Sequence, residues 1–160
     1  YVSCSWGIHR VGFVMITFGL ADAVFSMLFG AVIRKVGRLP IFLLGAVVNG
    51  ALVAACFLWK PTPEQSSVFF VIAGLWGLGD AVWQTQVNAF YSVVFPADKE
   101  AAFANYRLWE SLGFIVAFGT QKVLAIHFKL ILLSTFLVLG MVGYLIIEID
   151  VRKRSISPRT

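Results

Sequence analysis

Charged residues, cysteine and proline are all scarce in this chain of 160 residues. Asp, Glu, Lys and Arg make up 13% of it, and it holds two cysteines and five prolines, whereas 59% of its residues are hydrophobic. Soluble domains carry about twice this share of charge, so a water-soluble globular fold is excluded. Two thiols are favoured over a disulfide between Cys4 and Cys56, because Cys56 lies within a long apolar run.

The chain also lacks the residue clusters that most catalytic and metal sites need. His9 and His127 stand apart from other metal-binding side chains, and no glycine-rich phosphate loop is present, so we expect no metal and no cofactor. Residues 77–80 have the sequence Gly-Leu-Gly-Asp, which fits a motif of intramembrane aspartyl proteases, with Asp22 as the second aspartate. The other motifs of those proteases are missing, so the chain is predicted not to be an enzyme.

Five apolar runs follow one another along the chain, at residues 11–33, 39–59, 67–95, 101–126 and 130–149. About twenty helical residues cross the ~30 Å hydrocarbon core of a bilayer, so every run is long enough to span it. The sequence therefore predicts an all-α, polytopic membrane protein with five transmembrane helices and a tail at residues 150–160. The third and fourth runs exceed the bilayer thickness, so they must tilt or protrude.

The basic residues predict the orientation of these helices. Eight Lys and Arg fall on the side that holds the tail and the connections after the first and third runs, and four fall on the other side. The positive-inside rule then places the C-terminus in the cytoplasm. The net charge of +5 lies mostly at the ends of runs, which favours contact with the lipid bilayer over nucleic acid. Because the chain starts without Met, we expect a fragment of a longer protein, integral to the plasma membrane.

Four ionisable side chains lie inside the apolar runs, and these are Asp22, Asp80, Arg107 and Glu110. A charge at the centre of a spanning helix costs about 2.5–3.5 kcal/mol on insertion scales. Such groups therefore face a protein or aqueous interior, and they mark function. They are candidates for a cavity or for ion coupling, and their summed charge of −2 suits a cation or a proton.

Polar residues form a stripe on the third run. At 100° per residue, Asp80, Gln84 and Asn88 lie within an arc of about 80° that also holds Ala73 and Gly77. The fourth run carries a second polar stripe. Two interpretations stay open: the two stripes face each other across an aqueous pathway, or their amides hold packed helices together.

Depth along the helices predicts the partner of Arg107. At 1.5 Å per residue from the cytoplasmic ends, Arg107 lies about 9 Å in and Asp80 about 22 Å in, a gap that exceeds the reach of an arginine. We expect Arg107 to pair with Glu110, three residues on, near a cytoplasmic gate, with Asn88 at the same level. Asp22, about 16 Å in, is expected nearer to the level of Glu110 than to that of Asp80.

A basic motif joins the first two runs. Its residues are Gly30, Arg34, Lys35, Gly37 and Arg38, and the motif resembles the loop signature of major facilitator transporters, although Arg34 replaces the signature's acidic residue. Gly37 suits a tight turn, and the cations suit anionic headgroups. The order of polar and apolar runs also fits one half of such a transporter, with the apolar second and fifth runs facing lipid.

Two longer segments carry a family resemblance. Residues 74–89 include Gly-Leu-Trp-Gly, Asp-Ala-Val-Trp-Gln-Thr-Gln and Asn-Ala, and residues 99–110 have the sequence Lys-Glu-Ala-Ala-Phe-Ala-Asn-Tyr-Arg-Leu-Trp-Glu. Both closely resemble the uncoordinated-protein-93 family, its homolog A branch in particular, within the major facilitator superfamily. The resemblance covers nearly the whole chain. It implies the last five helices of a twelve-helix protein, whose N-terminal half is then a partner.

The resemblance also implies a function. One member of the family is an accessory subunit of two-pore potassium channels, and another escorts Toll-like receptors from the endoplasmic reticulum. Because the resemblance is to the homolog A branch, the expected function is regulation of ion flux, with a potassium channel as partner. The alternative is a secondary transporter of a small solute, coupled to a cation or proton through Asp22, Asp80 and Glu110.

Overall fold

The computed structural model describes residues 7–58, 66–120 and 123–156, and these residues form five α-helices with short connections. The helices are α1 (Ile8–Val36), α2 (Arg38–Leu58), α3 (Ser66–Val94), α4 (Lys99–Gly119) and α5 (Ile126–Ile156). No strand occurs in the described part of the chain, so the all-α prediction is confirmed. Cys4 lies outside the described residues, and Cys56 is buried on α2.

Four of the described helices have both the length and the hydropathy of a membrane span, over His9–Val36, Arg38–Leu58, Ser66–Val94 and Ile126–Lys153. α4 is long enough, at 21 residues. However, polar residues such as Arg107 and Glu110 lower its hydropathy, and it is not one of the four. The polytopic membrane fold is thus confirmed for four helices, and the fifth span stays a prediction.

The fourth helix is shorter than its predicted run, 101–126. α4 ends at Gly119, where the N–H of Thr120 donates to the carbonyl oxygen of Val116 and the chain turns. The N–H of Leu124 then donates to the carbonyl oxygen of Thr120 at 3.0 Å. Residues 121 and 122 of the predicted run lie outside the described part of the chain.

The fifth helix extends beyond its predicted end at residue 149. α5 continues to Ile156, so the first seven residues of the predicted tail, 150–156, are helical. Its extension is supported by an ion pair one turn apart, in which Nε of Arg152 lies 2.9 Å from Oε1 of Glu148. Residues 157–160 of the tail lie outside the described part.

A single residue, Gly37, connects α1 to α2. Its φ of 83° lies in the region that favours glycine, and its N–H donates to the carbonyl oxygen of Ile33 at 3.0 Å. The tight turn predicted at Gly37 is therefore confirmed. The prediction of a longer loop is wrong, because one glycine completes the turn. Three residues predicted in that loop, Arg34, Lys35 and Arg38, are helical instead, and Gly30 of the same motif lies within α1 as its run predicted.

The chain divides into two compact units between Phe90 and Tyr91, within α3. In the first unit, α1 and α3 run parallel to each other. Val14 packs with Ala73 near the start of both helices, and Phe29 packs with Ala81 further along. Successive spans of a membrane protein alternate in direction, so the first and third spans should run parallel, as α1 and α3 do.

Two glycines of α3 let it approach its neighbours to backbone distance. A Cβ on Gly77 would lie 2.5 Å from the carbonyl oxygen of Phe18 on α1, and a Cβ on Gly79 would lie 2.7 Å from Oδ1 of Asn49 on α2. Two residues along a helix differ by about 200°, so the glycines face opposite sides. Small residues of this kind allow membrane helices to pack closely, and here they place α3 between α1 and α2.

α2 runs antiparallel to α3. Gly79 of α3 contacts Asn49 of α2, and Val82, one turn further along α3, lies 2.6 Å (through Cγ1) from the position of a Cβ on Gly45, one turn earlier in α2. Further along, the guanidinium of Arg38 lies 5.5 Å from the ring centroid of Phe90, which places a cation–π contact at the start of α2.

α2 is more buried than its apolar composition alone predicts, whereas its contact with lipid stays a prediction. Of the residues in its most apolar stretch, 39% are buried, against 6% in α1. The physical reason is that lipid is as apolar as a helix interface, so hydrophobic composition alone does not distinguish the two surroundings. Small residues at the contact positions, such as Gly45 against Val82, allow α2 to pack closely on α3.

Aromatic rings organise the start of the second unit. Tyr91, at the end of α3, lies 6.3 Å from the ring of Phe103 and 5.4 Å from that of Tyr106, both on α4. α4 has no buried residue within the described chain. α5 buries Leu130, Tyr144 and Glu148, and most of its other side chains are exposed.

Substituting valine at the glycine contacts of α3 is expected to destabilise the protein. Gly77→Val and Gly79→Val each insert a branched side chain against backbone or a buried amide, at a cost of about 1–3 kcal/mol. Gly74→Val is the matched control, because a Cβ there meets nothing within 4 Å. Thermal melting of the detergent-solubilised protein, followed by gel filtration, measures the effect. Equal melting temperatures for all three variants would contradict the packing.

Candidate functional site

Asp22 lies where α1 touches α3. Its backbone nitrogen is 3.0 Å from the position that a Cβ on Gly77 would take. The side chain is partly buried, and its Oδ1 accepts a hydrogen bond from Oγ of Ser26 at 3.4 Å. A carboxylate is thus held at a helix contact inside an apolar span, the setting in which ionisable groups mark function.

Asp22 lies further from the end of its helix than predicted, whereas its depth in a membrane relative to Glu110 stays a prediction. The prediction ended the first helix at residue 33, but α1 continues to Val36. Asp22 is then fourteen residues from the end of α1, and Asp80 is fourteen from the end of α3 at Val94. Both distances are about 21 Å. Gly77, level with Asp22, precedes Asp80 by three residues, or about 4.5 Å along the helix.

The polar stripe of α3 continues the face that packs on α1. Asp80, Gln84 and Asn88 are all partly buried, and by helical angle they follow Ala73 and Gly77 on one side of α3. Nδ2 of Asn88 donates to the main-chain oxygen of Gln84 at 2.5 Å, so this amide is satisfied in part by its own helix. An aqueous pathway along the stripe stays a prediction.

Two buried amides on the contact between α2 and α3 were not predicted as functional. Gln86 is fully buried, and Asn49 is 6% exposed. Among the described residues, neither Oε1 of Gln86 nor Oδ1 of Asn49 has a hydrogen-bond donor. The spacing of Gln86 could have predicted its burial. Gln86 lies four residues after Val82 and seven after Gly79, on the face that packs against α2.

The predicted pair of Arg107 and Glu110 is present on α4. Nη1 of Arg107 lies 2.5 Å from Oε2 of Glu110, and the two side chains are 58% and 17% exposed. The hydroxyl of Tyr106 donates to Oε1 of Glu110 at 3.3 Å, and its ring lies 5.4 Å from the guanidinium. The ion pair is confirmed, whereas its place near a gate stays a prediction.

Glu148 is a buried carboxylate on a helix predicted to be apolar. Its side chain is 5% exposed and pairs with Arg152, which is 57% exposed. The sequence could have predicted this pair, because Arg152 follows Glu148 by four residues and residues at that spacing are neighbours on a helix surface.

The basic motif at the turn between α1 and α2 is mostly accessible. Arg34 and Lys35 are exposed in the last turn of α1, where cations also suit the negative end of the helix dipole. Arg38 is partly buried over Phe90. The motif therefore presents two cations outward and uses the third for packing.

Among the described residues, no group of three His, Cys, Asp or Glu could hold a metal ion. The glycines of the Gly-Leu-Gly-Asp segment pack against α1 and α2. This packing accounts for the segment without the chemistry of an aspartyl protease.

The described helices define a class: a polytopic membrane protein that keeps polar and charged side chains at helix contacts within apolar spans. Residues 8–145 match the family described as "Ion channel regulatory protein UNC-93". The chain belongs to this family.

Individual relatives agree with the match. The human protein unc-93 homolog A is 50% identical over 158 residues, covering 99% of this chain and 35% of the human protein. The Xenopus laevis homolog A is 51% identical over 148 residues, covering 92% of this chain and 32% of the relative. The chain therefore spans about a third of the length of these relatives.

A more distant relative carries a functional name. The unc-93 protein of Caenorhabditis elegans, provisionally named a potassium channel regulatory protein, is 40% identical over 149 residues. The match covers 92% of this chain and 21% of the relative. The comparison with solved structures gives no match.

Replacing the amide of Gln86 is expected to stabilise the protein. Gln86→Met keeps the volume and removes a buried oxygen without a donor, so the free energy of unfolding should rise by about 1–3 kcal/mol. Gln84→Met is the matched control, since Gln84 is only partly buried, and it should bring no gain. Thermal melting in detergent measures both. A lower melting temperature for Gln86→Met would show that the amide has a partner elsewhere in the protein.

Exchanging the charges of Arg107 and Glu110 tests their pairing. Arg107→Glu and Glu110→Arg each place two like charges one turn apart, and each is expected to lower the melting temperature. The double variant restores an attractive pair and should recover most of the loss. If the effects of the two single variants simply add in the double variant, the side chains are not coupled.

Proposed function

We propose that the protein is a non-enzymatic, multi-pass regulator of ion-channel activity, with a potassium channel as its partner. The observation that carries this proposal is the match of residues 8–145 to a family described as ion channel regulatory. The provisional name of the Caenorhabditis elegans relative supports the choice of a potassium channel. The complete protein is proposed to have the twelve-helix major facilitator fold and to lie in the plasma membrane with its C-terminus in the cytoplasm.

The surface of α4 supports contact with another protein. Arg107 is 58% exposed beside Glu110, and Phe114, one turn further on the same face, is 56% exposed. A charged pair that faced hydrocarbon would be costly, so this face lies against protein or water in the whole molecule. We name it the α4 polar face, formed by Arg107, Glu110 and Phe114. The N-terminal half of the protein and a channel are the two proposed partners for such a face.

The close packing of α3 also suits a regulator that acts by contact. The two glycine contacts and the ring contacts hold the helices of the first unit together. A transporter instead requires Asp22 or Asp80 to change its proton or ion occupancy during a cycle.

Co-expression with a two-pore potassium channel tests the proposal. The protein, expressed at its full natural length, is expected to change the channel current in voltage-clamped cells. Phe114→Ala should weaken this change, because it removes an exposed ring from the α4 polar face. Phe13→Ala on α1 is the matched control, since that ring is 60% exposed on a different helix.

Solute flux provides the opposing outcome. In proteoliposomes without a channel, the purified full-length protein is expected to move no solute. Uptake that Asp80→Asn abolishes would overturn the proposal in favour of a cation- or proton-coupled transporter. An unchanged channel current in the presence of surface-expressed protein would also contradict it.

A further inference from the structure

A cavity lies in the angle of the hairpin that joins α3 to α4, and the described residues that line it all belong to the second unit. Its volume is about 310 Å³, at the lower end of the range for sites that hold small molecules. The end of α3 forms one wall, and the first two turns of α4 form the other. The lining residues are Tyr91, Phe95, Asp98, Ala101, Ala102 and Asn105.

The wall on α4 has a polar group at each end and space between them. Asp98, Ala101, Ala102 and Asn105 follow one another at helical spacing, so they lie on one face of α4. Asp98 and Asn105 are both exposed, and their main-chain positions differ by about 10 Å along the helix axis. The two alanines leave room between a carboxylate and an amide, which suits a short ligand with a charged end and a neutral polar end.

The wall on α3 is aromatic. The ring centroids of Tyr91 and Phe95 lie 5.8 Å apart, and the N–H of Phe95 donates to the carbonyl oxygen of Tyr91 at 3.0 Å. The ring of Tyr91 also contacts the rings of Phe103 and Tyr106 on α4, which hold it in place. Because aromatic faces attract ammonium groups, two rings near a carboxylate favour an organic cation.

The charge of the cavity favours the same kind of ligand. Asp98 is acidic, and none of the described residues that line the cavity is basic. The side chain of Asp98 makes no capping hydrogen bond to α4, so its oxygens stay available to a donor. The positive end of the α4 dipole, equivalent to about half a charge, opposes a cation, but the full charge of the carboxylate exceeds it.

We propose that the cavity binds a protonated primary amine whose carbon chain carries an oxygen, the chemistry of an ethanolamine group. The ammonium group lies beside Asp98 and the two rings, and the oxygen lies beside the amide of Asn105. Helix ends lie near the surface of a bilayer, so both a soluble amine and the headgroup of phosphatidylethanolamine are sources of this group. The cavity shares no residue with the α4 polar face.

Titration with ethanolamine and with choline tests the site. The full-length protein is purified in a maltoside detergent, which contains no amine, and saturation-transfer NMR measures the affinity for each ligand. Ethanolamine is expected to bind more tightly than choline, because a quaternary ammonium has no N–H to donate to the carboxylate of Asp98.

Two pairs of variants test the named residues. Asp98→Asn should weaken ethanolamine binding about fivefold, the effect of a strong exposed ion pair, and asparagine also suits the N-cap position. Glu100→Gln is its matched control, because it removes the same charge outside the cavity. Ala101→Leu should abolish binding by filling the space beside Asp98, whereas Ala104→Leu, at an exposed position that does not line the cavity, should not. Gel filtration checks that all four variants fold.

Nanodiscs distinguish the two sources of the amine. The full-length protein is reconstituted in phosphatidylcholine with or without phosphatidylethanolamine, and the titration with ethanolamine is repeated. Loss of the ethanolamine signal in the presence of phosphatidylethanolamine assigns the site to the lipid headgroup, and an unchanged signal assigns it to a soluble amine. Both results support the proposed site.

Four results would overturn the proposal. Absence of ethanolamine binding to the wild-type protein would show that the cavity takes no amine. Equal affinity for ethanolamine and choline would show that no N–H is recognised. Equal losses in Asp98→Asn and Glu100→Gln would show attraction by general surface charge, and full binding by Ala101→Leu would place the amine elsewhere. None of these results depends on channel currents, so each is distinct from a failure of the proposed function.

Discussion

The close approach of α3 to both neighbouring helices is the constraint on which the first unit depends. In a bilayer, apolar side chains gain nothing from leaving lipid for another helix, so association requires backbones that come near enough for many atoms to touch. Gly77 and Gly79 meet that requirement on opposite sides of one helix. The polar groups of this unit, Asp22 and Asn49 among them, then lie where these contacts bring the helices together.

Charge is handled differently in the two units. In the second unit, each buried or partly buried acid has a base on its own helix: Glu110 has Arg107, and Glu148 has Arg152. In the first unit, Oδ1 of Asp22 accepts a hydrogen bond from the hydroxyl of Ser26 on its own helix, and the residue lies beside the main chain of α3 at Gly77. Pairs within one helix form without help from tertiary structure, whereas a carboxylate at a helix contact depends on packing to keep its surroundings.

The sequence predicts the number, type and approximate limits of the helices, because apolar runs of this length have few alternatives in a membrane. It also predicts the pair of Arg107 and Glu110, since residues three apart are neighbours on any helix. It does not predict that α2 is well buried or that Gln86 is enclosed, because both depend on which helices meet. The predicted distance of Asp22 from the end of its helix was too short because that end was misplaced by three residues.

The one-residue connection at Gly37 has a mechanical consequence. α1 and α2 together contain fifty residues of helix, 29 and 21, and no slack chain separates them. A displacement of the connected end of either helix is transmitted directly to the other, and only rotation about the backbone bonds of one glycine can absorb it. Any change in the angle between α1 and α2 must therefore come from rotation about the backbone bonds of Gly37, and without it the two helices keep their relative orientation.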